Sequence, residues 1–221
     1  LKIVRKSYLS LGTNLGDKLK NLQEAVDQLN RKVGHITKVS SVYRTRSLGF
    51  EGNDFYNMCI EVSSSLSPEK MIQAVLSVEK KMGRERNSGD GYKNRIIDID
   101  ILLFDDEIIF FNDLKVPHPE MLNRKFVLVP LTEIAPNIIH PIAKKTILIC
   151  LQNCQDRESI EKVEEKIKRP VSLVDEQRHA VAGAVGHRQV DAAVAVEVLV
   201  CYRLGIGRFA RRVGGGRQLV P

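Results

Sequence analysis

The eleven residues NRIIDIDILLF, 94–104, constrain the fold of this chain more than any other stretch. Read as a strand, they place alternate side chains on the same side, so Ile97, Ile99, Ile101 and Leu103 take one face while Asp98 and Asp100 share the other, roughly 7 Å apart. The isoleucine face demands cover from other elements. Leu102 and Phe104 are expected to continue the acidic face with apolar groups, so that face is not a simply wetted one. Neighbouring carboxylates repel and raise one another's pKa unless a cation neutralises them. Arg84, Arg86, Lys93 and Arg95 stand just ahead of the strand and set bases beside the acids.

The surrounding pattern gives the strand its partners. KSYLSLG reads as a buried strand running into a Gly12-Thr13-Asn14 turn, and Leu15, Leu19, Leu22, Val26, Leu29 and Val33 recur at helical spacing. ITKVSSVYRT and YNMCIEVSS read as strands joined by a polar loop, 46–54. Ser67-Pro68 marks a helix start, with Met71, Val75, Val78 and Met82 as its stripe and Gly83 as its end. A second glycine-containing loop, RERNSGDGYKN, leads into the acidic strand; Asp105-Asp106 is a turn before a strand in EIIFF. NRKFVLVPLTEIAP predicts a helix and DRESIEKVEEKIKR a charged final one. The order β-α-β-β-α-β predicts an α+β fold: a ferredoxin-like antiparallel sheet with helices mainly on one face, plus C-terminal additions.

From Val171 onward the chain has seven Arg, no Lys and no Asn, with much Ala, Val and Gly. That shift sets expected boundaries: a principal domain over 1–170, and a tail over 171–221 that is foreign to it or poorly ordered. No window is apolar for long enough to span a membrane, and the N-terminal residues lack the apolar core of a signal peptide. The expectation is a soluble, cytoplasmic monomer that binds neither membrane nor nucleic acid. Cys59, Cys150, Cys154 and Cys201 show no zinc or disulfide spacing. A net charge of +7 suits an anionic partner without choosing one.

Magnesium takes hard oxygen ligands and sits between one or two carboxylates and substrate phosphates, while nearby arginines hold the remaining phosphate oxygens. The acid pair and its basic approach therefore point to phosphoryl transfer. No GxxxxGK[ST] loop and no HRD or DFG set is present.

Six stretches, in order, resemble the 6-hydroxymethyl-7,8-dihydropterin pyrophosphokinase family: SLGTNLGD, VSSVYRTRSLG, FYNMCIEV, EKKMGRERN, NRIIDIDILLF and VPHPEMLNRKFVLVPLTEIAP. The resemblance covers residues 7 to about 140. It implies transfer of pyrophosphate from ATP to the pterin hydroxymethyl group, release of AMP, two magnesium ions, and the same α+β fold. By that resemblance Asp98 and Asp100 are metal ligands and Arg84 and Arg95 assist transfer. Arg86, His118, Arg124 and the Ile101 backbone meet the nucleotide. Thr45, Leu48, Phe55, Asn57, Tyr92 and Phe126 meet the pterin, and Glu79 supports the site. The chain departs from the family pattern at Arg46 and Ser47, where relatives carry prolines, at Tyr92 in place of tryptophan, and at Pro119 beside the histidine. Two rivals use the same features: another D-x-D magnesium-dependent nucleotidyl or phosphoryl transferase, and a non-enzymatic basic protein that binds nucleic acid.

Overall fold

Two strands govern the architecture: β1 (Arg5–Thr13) and β4 (Phe55–Ser64), paired antiparallel from Arg5 opposite Ser64 to Thr13 opposite Tyr56. The computed structural model describes residues 3–47, 52–84, 94–111 and 114–170. The chain divides into two units, Leu1–Pro170 and Val171–Pro221, and all described residues belong to the first. Around the central pair the sheet is antiparallel, in the order β5-β1-β4-β3-β8 with β2 also paired to β4. β5 is Asp98–Phe104, β2 His35–Val39, β3 Tyr43–Thr45 and β8 Glu161–Lys162. A separate hairpin pairs β6 (Ile109–Phe111) with β7 (Leu114–Val116).

Alternation along β1 and β4 sorts the core into two layers. Leu9, Leu11, Met58, Ile60 and Val62 point to the side covered by α1 (Lys18–Lys32) and α2 (Pro68–Lys81). Tyr8 and Cys59 point to the other, covered by α3 (Lys125–Ile134) and α4 (Ile147–Asn153). Four helices thus flank the sheet in two pairs, whereas the sequence pattern gave them mainly to one face. The starts of α1 and α2 are capped as the composition suggests: Asp17 accepts the Lys20 N–H, and Ser67 accepts that of Lys70 with Pro68 following.

Three local expectations differ from the structure. ITKVSSVYRT breaks into β2 and β3, because the Ser40 hydroxyl accepts the Cys59 N–H at 2.9 Å and interrupts the ladder. In β5 the pairing with β1 shifts a step, Tyr8 opposite Leu103 but Leu9 opposite Ile101, leaving Leu102 as an extra residue. Alternation therefore resets: Phe104 joins Ile97, Ile99 and Ile101 in one core layer, while Leu102 and Leu103 both join the other. Finally, DRESIEKVEEKIKR is not a helix. Val163 and Ile167 are four apart, a spacing that satisfies an extended chain as well as a helix. Here they reach the core from an extended strap whose β8 adds to the edge of β3, Arg44 opposite Glu161. The Val163 N–H also donates to the Val42 carbonyl at 2.9 Å.

Candidate active site

Register across three strands builds the floor of one cavity. Gly12 on β1 lies opposite Asn57 on β4 and Asp98 on β5, and Ser10 lies opposite Asp100. The face of these strands turned toward α3 is not closed over at this end, which leaves a cavity of about 590 Å³. Gly12 leaves room for the Asn57 amide: a Cβ there would stand 3.1 Å from the Asn57 Oδ1 and press it aside by a few tenths of an ångström. The Asn57 amide donates to the Thr45 hydroxyl at 3.0 Å, so one N–H and the carbonyl oxygen remain for a ligand edge.

The acid pair behaves asymmetrically. Asp98 is paired with both Arg84 and Arg95. Asp100 keeps an exposed surface and lines the cavity. The protein packed around its carboxyl, with Asp98 and Glu79 beside it, pushes it up to about 7 against the pull of Arg84 and Arg95. Glu79 is buried on α2, pairs with Arg84, and accepts the Ile99 N–H at 2.8 Å. It thereby fixes the backbone between the two aspartates.

Opposite the acids, the loop after β7 brings in His118, whose N–H donates to the Leu102 carbonyl at 2.9 Å. Its Nδ1 accepts the Glu120 N–H at 3.3 Å, so the neutral ring carries its proton on Nε2. Burial lowers its pKa, opposed by Glu120 and Asp98, which favours that neutral form. Arg124 and Phe126 enter from the start of α3, and Phe55 from the start of β4.

Ten residues singled out in the sequence thus line one cavity: Arg84, Arg95, Asp98 and Asp100; His118 and Arg124; Thr45, Phe55, Asn57 and Phe126. Two do not. Ile101 is buried in the core layer beneath β5, so only its backbone is left for the expected contact, and Glu79 stands behind the lining. Arg86, Leu48 and Tyr92 lie outside the described residues. The cavity also includes Ser10, Gly12, Arg46, Glu120 and Glu158, which sequence reading did not assign. Gly12 carried a signal, because it sits inside SLGTNLGD; Glu158 carried none, being one acid of a charged run.

Among the described residues no group of three or more His, Cys, Asp or Glu gathers as a metal cage. Asp98 and Asp100 nonetheless fit magnesium: they offer hard oxygens from one side, and the ion habitually completes its shell with water and phosphate. The crowded charge at Asp100 is what a divalent cation would relieve. No helix among the described residues is long and apolar enough to cross a membrane.

Comparison with known proteins gives this cavity a context. A family model described as 7,8-dihydro-6-hydroxymethylpterin-pyrophosphokinase (HPPK) matches residues 8–136. The 2-amino-4-hydroxy-6-hydroxymethyldihydropteridine pyrophosphokinase of Aquifex aeolicus (strain VF5) is 42% identical over 139 residues, 62% of this chain and 85% of that protein. The protein of the same name from Bacillus subtilis (strain 168) is 40% identical over 134 residues, 60% of this chain and 79% of its own. A solved structure, Plasmodium falciparum HPPK-DHPS wild type with STZ-DHP, superposes with a TM-score of 0.56 at 19% identity. That match covers 69% of this chain and 42% of the solved one, so this chain spans less than half of that longer protein, and the likeness speaks to fold alone.

Proposed function

The chain belongs to the 7,8-dihydro-6-hydroxymethylpterin-pyrophosphokinase family, and from that premise we propose how its cavity carries out the reaction. The enzyme transfers pyrophosphate from ATP to the hydroxymethyl group of 6-hydroxymethyl-7,8-dihydropterin and releases AMP, a step of folate biosynthesis. The bond from the α–β bridging oxygen to the β-phosphorus breaks, one from the substrate oxygen to that phosphorus forms, and the hydroxyl proton leaves to solvent. The observation that carries the reading is the convergence of the acid pair, four arginines and two phenylalanines on one cavity.

Asp98 and Asp100 would hold two magnesium ions. Bound there, magnesium would neutralise phosphate charge and acidify the substrate hydroxyl. Arg84 and Arg95, which pair with Asp98 in the free chain, would exchange that carboxylate for phosphate oxygens. Arg86 would join them, and Arg124 and the His118 Nε2–H would steady the nucleotide from the α3 side. The Ile101 backbone would meet the adenine. Phe55 and Phe126 would stack on the two faces of the pterin. Asn57 would read its edge beside Thr45 and Leu48, with Tyr92 closing from the loop. Glu79 acts through Arg84 and the Ile99 N–H and contacts no substrate.

Strand order β5-β1-β4 followed by β2 and β3 along one side of β4 supports a ferredoxin-like description, with α3, α4 and the strap as C-terminal additions. The reaction does not need residues 171–221. The protein works as a monomer in the cytoplasm, with no nucleic-acid partner. The test is AMP formation from ATP with and without the hydroxymethylpterin, with magnesium or with EDTA. The expected outcome is AMP only when both pterin and magnesium are present. Release of pyrophosphate in its place would assign the site to nucleotidyl transfer and overturn the reading.

A further inference from the structure

The turn from β1 to α1 holds the chain beside two cavity residues, Arg95 and Phe55. α1 first fixes the turn itself: the Asn21 amide donates to the Leu15 carbonyl at 2.8 Å, and Asp17 caps the helix. Asn14, the first residue beyond β1, is 1% exposed and makes four hydrogen bonds. Its N–H donates to the Arg95 carbonyl at 3.1 Å, and its Oδ1 accepts the Arg95 N–H at 2.7 Å. Its Nδ2 donates to the Asn94 Oδ1 at 2.7 Å and to the Asn53 carbonyl at 3.3 Å. A side-chain amide has two N–H donors, and both are in use. Four residues on, the Lys18 ammonium donates to the Asp54 carbonyl at 3.1 Å and stands 4.3 Å from the centre of the Tyr56 ring.

An asparagine that only closes a turn bonds its own backbone about two residues on. The side chain of Asn14 reaches partners 39 to 81 positions away. Arg95 lies three residues before β5 begins, outside the strand ladder. Asn14 takes both of its backbone polar groups, which sets the direction in which the arginine side chain leaves the chain. That side chain lines the cavity and pairs with Asp98. The Asn53 bond ties the same amide to the approach of β4, so the arginine is placed relative to the strand that carries Phe55 and Asn57.

We propose that Asn14 is a positioning residue for pyrophosphate transfer: by holding the N–H and carbonyl of Arg95 it aims the guanidinium at the transferring phosphates. The assignment rests on the proposed pyrophosphokinase reaction and deepens it, adding a residue that touches no substrate.

The experiment is a double-mutant cycle in the full 221-residue chain: parent, Asn14→Ala, Arg95→Ala and the pair together. The readouts are kcat per folded molecule, KM for ATP, KM for 6-hydroxymethyl-7,8-dihydropterin and Tm. With Arg95 present, Asn14→Ala should lower kcat roughly tenfold or more, since slight misplacement of an aligned group costs up to about a hundredfold. Both KM values should stay within about threefold, as for an interaction made in the transition state alone. In the Arg95→Ala background the same change should cost about twofold or less, because the group it positions is gone. Equal losses of kcat in both backgrounds overturn the proposal. A raised KM for the pterin with kcat intact overturns it in favour of a role at the start of β4, and a fallen Tm with parent kcat in favour of closing the turn. Should Asn14→Ala not fold, Asn14→Ser takes its place under the same criteria, its hydroxyl staying polar but falling short of the Arg95 N–H. A parent chain that makes no AMP fails the pyrophosphokinase reading. Calorimetric affinity for magnesium-ATP across the same four proteins then decides on Asn14: a loss confined to chains that keep Arg95 supports its role, and equal losses overturn it.

Discussion

Glu61 and Asp100 stand on the same face of one sheet, under the two ends of α3, and they have been treated in opposite ways. Glu61 is 3% exposed, and every oxygen is met. Thr37 donates to Oε1 at 2.6 Å, Tyr8 donates to Oε2 at 2.9 Å, and the Lys38 ammonium lies 3.3 Å from Oε2 while also donating to the last carbonyl of α3, that of Ile134. Asp100 has no hydrogen-bond donor among the described residues, and its neighbours Asp98 and Glu79 carry its own sign. The difference teaches how to tell a carboxylate that holds the fold from one kept for a ligand. The first is complete without a substrate; the second is strained until one arrives.

The comparison predicts a crossing of effects. Asp100→Asn should reduce magnesium-dependent AMP formation roughly a thousandfold, as loss of one charge-stabilising group does, while the Tm holds or rises because a repelled charge is gone. Turnover near the parent rate would break the contrast. Glu61→Gln should do the reverse, lowering stability by about 2–3 kcal/mol in urea unfolding through its mismatched partners, with kcat intact for the folded fraction.

Acid separates the two further. Burial works to raise the Glu61 pKa, but the hydrogen bonds from Thr37 and Tyr8 and the Lys38 charge outweigh it and leave it below the ordinary value of 4.5. A carboxylate whose folded pKa is depressed contributes stability above its unfolded pKa and loses it as pH falls through the folded one. Parent stability should therefore drop below about pH 4.5 by an increment that Glu61→Gln lacks, read as Tm against pH for both.

Smaller effects sharpen the geometry. Gly12→Ala presses a methyl toward the Asn57 Oδ1 at 3.1 Å. KM for the pterin should rise a few-fold while stability changes by about 1 kcal/mol or less. The smallest effect is expected from a stop after Pro170, which should leave Tm and AMP formation at parent values; a clear loss of either would show that the tail serves the domain.

Much of the acid-pair end was legible in the sequence because a single rule, strand alternation, wrote Asp98 and Asp100 onto one face. The rule held up to Leu102, where the inserted residue reset it. A register shift depends on the partner strand, and no local pattern announces it. Resemblance carried most of the proposed pterin end, since Asn57 and Phe126 have no pattern of their own. α4 and β7 are too short, at seven and three residues, to develop a period. The strap was misread because its charges and the spacing of Val163 and Ile167 suit a helix, and what decided its form was the open edge of β3, more than a hundred residues earlier.

That distance has a consequence for the order of assembly. Glu161 meets Arg44 across 117 residues of chain, and Lys168 meets Gln23 across 145. On a ribosome, β1 through β5 can pair while the strap is still unmade, so five of the six strands stand before the last edge strand and the wall it brings. A nascent chain halted near residue 150 would carry the acid pair, the arginines and both phenylalanines and still lack one side of its cavity. Competence to hold substrate would then arrive as a late event of synthesis, after most of the fold already stands.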